Sequence, residues 1–221
     1  MNSRVISAID MQLPDFGQEE LRRSAIVFAV DDEAFILHAL TRVLKRAGLQ
    51  AKTFSSAEGF LAKHDPTQPG CLLLDVSMPG MNGLQLQKLL KKQQSKLPII
   101  ILTGNGNIRM AVDAIKDGAI DFIEKPFDNK VLLKSVWHAL ETDARDRFAV
   151  QQRARIMQCL ERLTTREREV MGFMMEGKAT KAIACLLGIS ARTCEQHRAK
   201  VMKKMEAASL ADLIRMSLAD F

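Results

Sequence analysis

No run of about 18 consecutive apolar residues occurs in the chain, so no segment has the length and hydropathy of a membrane-spanning helix. Residues 1–24 lack the apolar stretch of a cleaved secretory signal and carry Asp10, Asp15, Glu19 and Glu20 instead, which leads us to expect a cytoplasmic protein. Cysteine is scarce. Cys71, Cys159, Cys185 and Cys194 form no CxxC pair and have no histidine at zinc spacing, so they are read as reduced thiols rather than a metal site or a disulfide framework. Internal repeats and low-complexity tracts are missing, and strand signals stop after residue 163. The stretch "TGNGN" lacks the GK[ST] ending of a nucleotide-binding loop.

What is present suits two modest domains: 221 residues, 47% hydrophobic and 26% charged. The net charge of +6 permits an anionic partner. Short strand-like runs at 24–30, 50–54, 71–74, 97–102 and 119–123 alternate with helical periods, which begin with Ile36, Leu40, Val43 and Leu44 and continue at 57–63, 84–90, 108–115 and 131–140. Five strands alternating with five helices predict an α/β fold, a doubly wound five-stranded parallel sheet, over residues 25–141. Residues 1–24 read as an N-terminal extension, disordered or a short helix. The charged, Gln-rich segment 142–160 reads as a helical linker, and 161–221 as a second, small all-α domain with helices at 165–176, 180–187, 191–206 and 210–218.

The stretch "LLLDVSMPGMNG" runs an apolar strand into one aspartate and then into turn residues. In open α/β sheets the carboxyl ends of the strands form the rim where ligands sit, so Asp75 is a rim carboxylate. Asp31 and Asp32 follow the first strand and join it there. Three like charges in one crevice repel and call for a cation, magnesium above all. Thr103-Gly104 after the fourth strand and Lys125-Pro126 after the fifth add a hydroxyl, open backbone and an ammonium, the groups that hold the equatorial oxygens of a transferring phosphoryl group. Taken singly, each has a duller reading as a solvated face or a helix cap.

Together "VDDE", "LLLDVSMPGMNG", "LTG" and "DFIEKPF" resemble a two-component response-regulator receiver. The resemblance implies that Asp75 accepts a phosphoryl group from a histidine kinase. It implies Mg2+ held by Asp32, Asp75 and the Ser77 carbonyl, with Asp31 acting mostly through water. Thr103 and Lys125 would bind the phosphoryl oxygens, the Lys125-Pro126 peptide would be cis, and Phe122 would turn inward when Thr103 does. On its own, Phe122 also fits plain core. Magnesium-dependent hydrolases that form an aspartyl-phosphate carry a second acid two residues after the nucleophile; Ser77 stands there, so the chain is not expected to be an enzyme. Ser77 and Asn105 are expected to flank the phosphoryl site and set its lifetime.

From residue 161 onward there are 11 Lys and Arg against 8 Asp and Glu, and 191–205 holds Arg192, Arg198, Lys200, Lys203 and Lys204 against Glu195 alone. "TKAIACLLGISARTCEQHRAKVMKKM" reads as a helix, a Gly188-Ile189-Ser190 turn and a second helix capped by Ser190; Ile183, Leu186, Leu187, Ile189, Cys194, Val201 and Met205 are spaced to pack the two together. With "LTTREREVM" before and "ASLADLIRM" after, residues 163–216 resemble a LuxR-type helix-turn-helix domain of FixJ-like regulators, with Thr180 where such domains usually have Asn and Cys194 where they usually have Val. The resemblance implies double-stranded DNA as partner, with Glu195, Gln196 and Ala199 toward base edges and Lys181, Thr193, Arg198, Lys200 and Lys203 on phosphates. His197 is read as a packing or phosphate-contact residue, since no second ligand lies at metal spacing.

The expectation is a phosphorylation-controlled, DNA-binding transcription regulator that dimerises when phosphorylated, with RNA polymerase an open candidate partner and no membrane association. The alternative is a phospho-switch whose helical domain docks a protein.

Overall fold

A computed structural model describes residues 17–104 and 108–218. The chain divides into two compact units, one ending at Arg147 and the other beginning at Phe148. Residues 1–16 lie outside the description; Gln18–Ser24 forms a short helix, α1.

In the first unit, β1 (Ile26–Val30), β2 (Gln50–Phe54), β3 (Gly70–Asp75), β4 (Ile99–Thr103) and β5 (Asp121–Glu124) form one sheet in the order β2-β1-β3-β4-β5. Every pairing is parallel. The helices between them are α2 (Ala34–Arg46), α3 (Ala57–Lys63), α4 (Gly83–Lys92) and α5 (Ile108–Lys116), and α6 (Asn129–Glu161) follows β5. The three inner strands are buried along their full length, whereas β2, at an edge, is half open. This is why 71–74 and 97–102 read as continuous apolar runs and 50–54 does not.

The two-residue period of the strands splits their side chains between the faces. Val27, Ala29, Leu73, Ile100 and Leu102 pack with Leu40 and Leu44 of α2 and Leu132 and Val136 of α6. Phe28, Val30, Leu72, Leu74 and Ile101 pack with Phe60 of α3, Leu86 of α4 and Ala114 of α5. Among the described residues, no helix is long and apolar enough to cross a membrane.

At the amino ends of the strands the unit is closed by a part-buried ion pair whose carboxylate is fully enclosed. Asp143, 2% exposed, accepts from the Gly70 amide at 2.9 Å and from Arg147 Nε at 2.8 Å. The same guanidinium donates to the carbonyls of Thr67 (2.8 Å) and Gln68 (2.9 Å). Burial raises the Asp143 pKa above the ordinary aspartate value despite these bonds. A raised folded-state pKa means that folding favours the protonated form, so ionisation costs stability as pH rises through that window and a neutral acceptor is a fair substitute. Asp143→Asn is expected to stay within about 1.5 kcal/mol of the wild type in urea unfolding, and Asp143→Ala, which strands Arg147 and the Gly70 amide, to lose about 2–4 kcal/mol. Equal losses would refute this account.

The second unit contains the end of α6, then α7 (Thr165–Met175), α8 (Thr180–Leu187), α9 (Ala191–Lys204) and α10 (Leu210–Leu218). Its core holds Leu163, Val170, Ile183, Cys194, Val201 and Leu213. One sequence expectation is corrected here. Leu186 does not pack α8 on α9 but is 57% exposed, because Ile183, Ala184 and Leu187 define the inward face and position 186 lies roughly 100° around the helix from its centre.

Thr164 caps α7 reciprocally with Glu167, whose carboxylate accepts from the Thr164 amide at 2.9 Å and from Lys204 Nζ at 2.6 Å. Lys204 therefore serves the domain's own structure. Its ammonium, with the cap bonds, pulls the Glu167 carboxyl down to about 2 from 4.5. A depressed carboxyl contributes stability that is complete above its unfolded value and is lost as pH falls through the folded one. Thermal melts should accordingly weaken between about pH 4.5 and pH 2 in the wild type and lose that component in Glu167→Gln; an unchanged acid profile in the variant would count against it.

Candidate phosphoryl-acceptor site and nucleic-acid interface

The register of the sheet gathers the acidic residues. Val30 lies opposite Leu74, so Asp31 and Asp75 leave adjacent strands at the same level, and β1 and β3 are the neighbours between which the strand order reverses. Asp75 pairs with Leu102 and Thr103 with Glu124, which carries Thr103 and Lys125 to the same rim. Asp31 (1% exposed), Asp75 (3%) and Thr103 (1%) are buried there, while Asp32 is open to solvent.

Carboxylate oxygens of Asp31, Asp32 and Asp75 all lie within 4.8 Å of one another. Lys125 Nζ bridges two of these residues, 2.6 Å from Asp31 Oδ2 and 2.7 Å from Asp75 Oδ1. Glu33 Oε1 stands 3.7 Å from the same ammonium, a neighbour that sequence reasoning missed. Burial, with the Asp75 charge adding to it, pushes the Asp31 carboxyl above the ordinary aspartate value in spite of Lys125. Burial also opposes the Lys125 charge, but the two carboxylates outweigh it and hold its pKa above the ordinary lysine value. One ammonium against three carboxylates leaves an excess of negative charge on hard oxygen donors, which fits a divalent cation.

The other Asp75 oxygen, Oδ2, accepts from the Ser77 amide at 2.6 Å. The backbone of α4's first residue runs close by: a Cβ on Gly83 would fall 2.1 Å from the Asp75 carbonyl oxygen, so only glycine fits there. The Lys125-Pro126 peptide is cis, as the resemblance implied. Ser77 is exposed beside the site, and Phe122 is half-buried against the cluster on the α3–α5 face. Asn105 lies outside the described residues.

In the second unit Gly188 ends α8 in the left-handed conformation at φ 63°, and the Ser190 hydroxyl accepts from the Thr193 amide at 3.0 Å, capping α9 as its sequence suggests. Cys194 and Val201 turn inward, so Glu195, Gln196, Ala199, Lys200 and Lys203 form an exposed face, with Thr193 and Arg198 half-buried at its margin. Lys181 is exposed on α8. None of Lys181, Glu195, Arg198, Lys200 and Lys203 belongs to an ion pair among the described residues. Arg192 shares this exposure and freedom in the first turn of α9 and was absent from the contacts expected from sequence, although the basic bias of the segment had signalled it. His197 is half-buried, with Nδ1 enclosed and unbonded.

Residues 27–137 match the response regulator receiver domain family, and residues 161–217 match the luxR family of bacterial regulatory proteins. The chain is a response regulator. It is similar to nodulation protein W of Bradyrhizobium diazoefficiens, 41% identical over 91% of this chain and 88% of that protein. It is likewise similar to the transcriptional regulatory protein FixJ of Rhizobium meliloti, 41% identical over 87% of this chain and 95% of that one. Among solved structures, the response regulator StyR matches with a TM-score of 0.81 at 37% identity, over 88% of this chain and 98% of that chain. A receiver joined to a luxR-family domain makes this regulator a phosphorylation-controlled, DNA-binding transcription factor, with a histidine kinase and DNA as its partner classes.

Proposed function

We propose that Asp75 is the phosphoryl acceptor. A carboxylate oxygen of Asp75 attacks the phosphorus of a kinase phosphohistidine; the new O–P bond forms as the P–N bond breaks, and the imidazole leaves with the electron pair. The observation that carries this reading is the convergence of Asp31, Asp75 and Lys125 at 2.6 and 2.7 Å on one buried rim beside Thr103. Lys125 and the Thr103 hydroxyl then bind phosphoryl oxygens, Lys125 exchanging a carboxylate partner for the phosphate. Asp32, Asp75 and the Ser77 carbonyl would hold Mg2+, with Asp31 acting through water; the ion supplies charge neutralisation at the transferring oxygens. Ser77 offers no acid to protonate a leaving group, so the domain accepts and stores phosphate rather than turning over phosphate esters.

Phosphorylation biases a two-state receiver (25–141) through Thr103 and Phe122 and favours a homodimer. Beyond the linker helix 142–160, the domain 161–221 reads DNA, with Glu195, Gln196 and Ala199 at base edges and Lys181, Thr193, Arg198, Lys200 and Lys203 on phosphates. The regulator works in the cytoplasm, where its DNA lies, with RNA polymerase as a further partner. Selection of genomic DNA fragments by the purified chain, with and without magnesium and beryllofluoride, tests this. Enrichment of a paired motif only with the phosphoryl mimic is expected. Equal enrichment in both states would remove the gating, and none in either would point to a protein partner for the helical domain.

A further inference from the structure

Resting on the reading of Asp75 and Ser77 above, we infer that Glu58 of α3 is a positioning residue for the phosphoryl site: its carboxylate holds the turn that fixes the Ser77 backbone. The connection from β3 to α4 is closed at its base by a bond from the Gly83 amide to the Val76 carbonyl at 3.1 Å, and Val76 and Met78, each 7% exposed, anchor it in the core. Beyond Met78, Pro79 and Gly80 are exposed, and the chain reverses through Gly80 at φ 74°. There Glu58 Oε1 accepts from the Met81 amide at 3.0 Å and lies 3.1 Å from where a Gly80 Cβ would stand.

Glu58 is exposed, yet its helix is a fixed post. Ala57 and Phe60 on either side of it are fully buried, and the Ser56 hydroxyl caps α3 by accepting from Gly59. Hydrogen bonds from its own amide and from Met81 pull the Glu58 carboxyl below the ordinary glutamate range, as a carboxylate engaged by the backbone should be. The Ser77 amide already grips Asp75 Oδ2 at 2.6 Å, so a shift of the turn moves both the orientation of the acceptor carboxylate and the carbonyl offered to the cation.

The test uses the full-length chain as wild type, Glu58→Ala, Glu58→Gln and Gly80→Ala. Calorimetric titration with Mg2+ alone, without phosphodonor, and amide hydrogen exchange at Ser77 and Met81 are the readouts. Glu58→Ala is expected to weaken magnesium about three- to tenfold and to speed exchange at Met81, as loss of one hydrogen bond to a charged acceptor would. Glu58→Gln keeps a carbonyl oxygen for the Met81 amide and should stay within about twofold of wild type, while Gly80→Ala, strained by its positive φ, should follow Glu58→Ala. Wild-type affinity and protection in Glu58→Ala would overturn the inference, as would Glu58→Gln being as impaired as Glu58→Ala. Should the wild type bind no magnesium, the metal reading fails separately, and Met81 exchange alone decides the role of Glu58. Label transfer from acetyl phosphate, compared with Asp75→Asn, tests the acceptor reading on its own.

Discussion

Asp75→Asn is expected to lower covalent phosphoryl incorporation below about one part in a hundred of wild type, because an amide has no nucleophilic oxygen to form the acyl phosphate. The fold should survive. Asparagine keeps one carbonyl oxygen, which can take the Ser77 amide in place of Oδ2, and gives up the Oδ1 bond to Lys125, whose ammonium retains Asp31 Oδ2 at 2.6 Å. Removing one of the three clustered carboxylates also relieves repulsion, so the metal-free variant should melt no lower than wild type. The Asp31 carboxyl, raised by burial with the Asp75 charge contributing, should move toward its ordinary value. Labelling with acetyl phosphate, followed by thermal melts at one pH, measures both effects. Label retained at wild-type level would place the acceptor elsewhere, and a collapsed melt would mean that the Asp75 charge is needed for folding. Beryllofluoride-dependent enrichment of DNA should vanish in the same variant.

The second large effect concerns α9. Lys200→Ala and Lys203→Ala each remove an exposed, unpaired cation, and each should lower the slope of log K against log salt by about 0.9 with weakening that is uniform across sequences. Gln196→Ala should behave differently. A side-chain amide at a base edge discriminates by about 1–3 kcal/mol, so specificity should relax at one position of the site while the salt slope stays. Binding isotherms at several salt concentrations, on the selected motif and on a scrambled duplex, separate the two behaviours. If Gln196→Ala changed the slope and Lys200→Ala the base preference, the orientation assigned to α9 would be wrong. Lys204→Ala should alter stability more than affinity, because its ammonium is bound to Glu167 at 2.6 Å.

Much of the fold was legible from local pattern. The spans 50–54, 57–63, 180–187 and 210–218 coincide with β2, α3, α8 and α10, since turn residues and periodicity bound them on both sides. The segment 142–160 was harder to place. Its periodicity is weak because α6 continues past β5 as one helix to Glu161 and faces different surroundings along its length. The acidic site was readable because each member stands just after an apolar run, and parallel strands bring such positions to one rim.

Sequence by itself determined the five strand-helix repeats, the all-helical second domain, the carboxylates at strand ends and the basic face of α9, because each depends on residues within a few turns of one another. Tertiary structure decided which groups meet across the chain: Lys125 with Asp31 and Asp75, Glu58 with Met81, Arg147 with the loop before β3, and Lys204 with Glu167. It also decided that Leu186 faces solvent. Such pairings depend on strand order, register and helix rotation, which arise when the whole core packs and leave no local signature in the residues that make them.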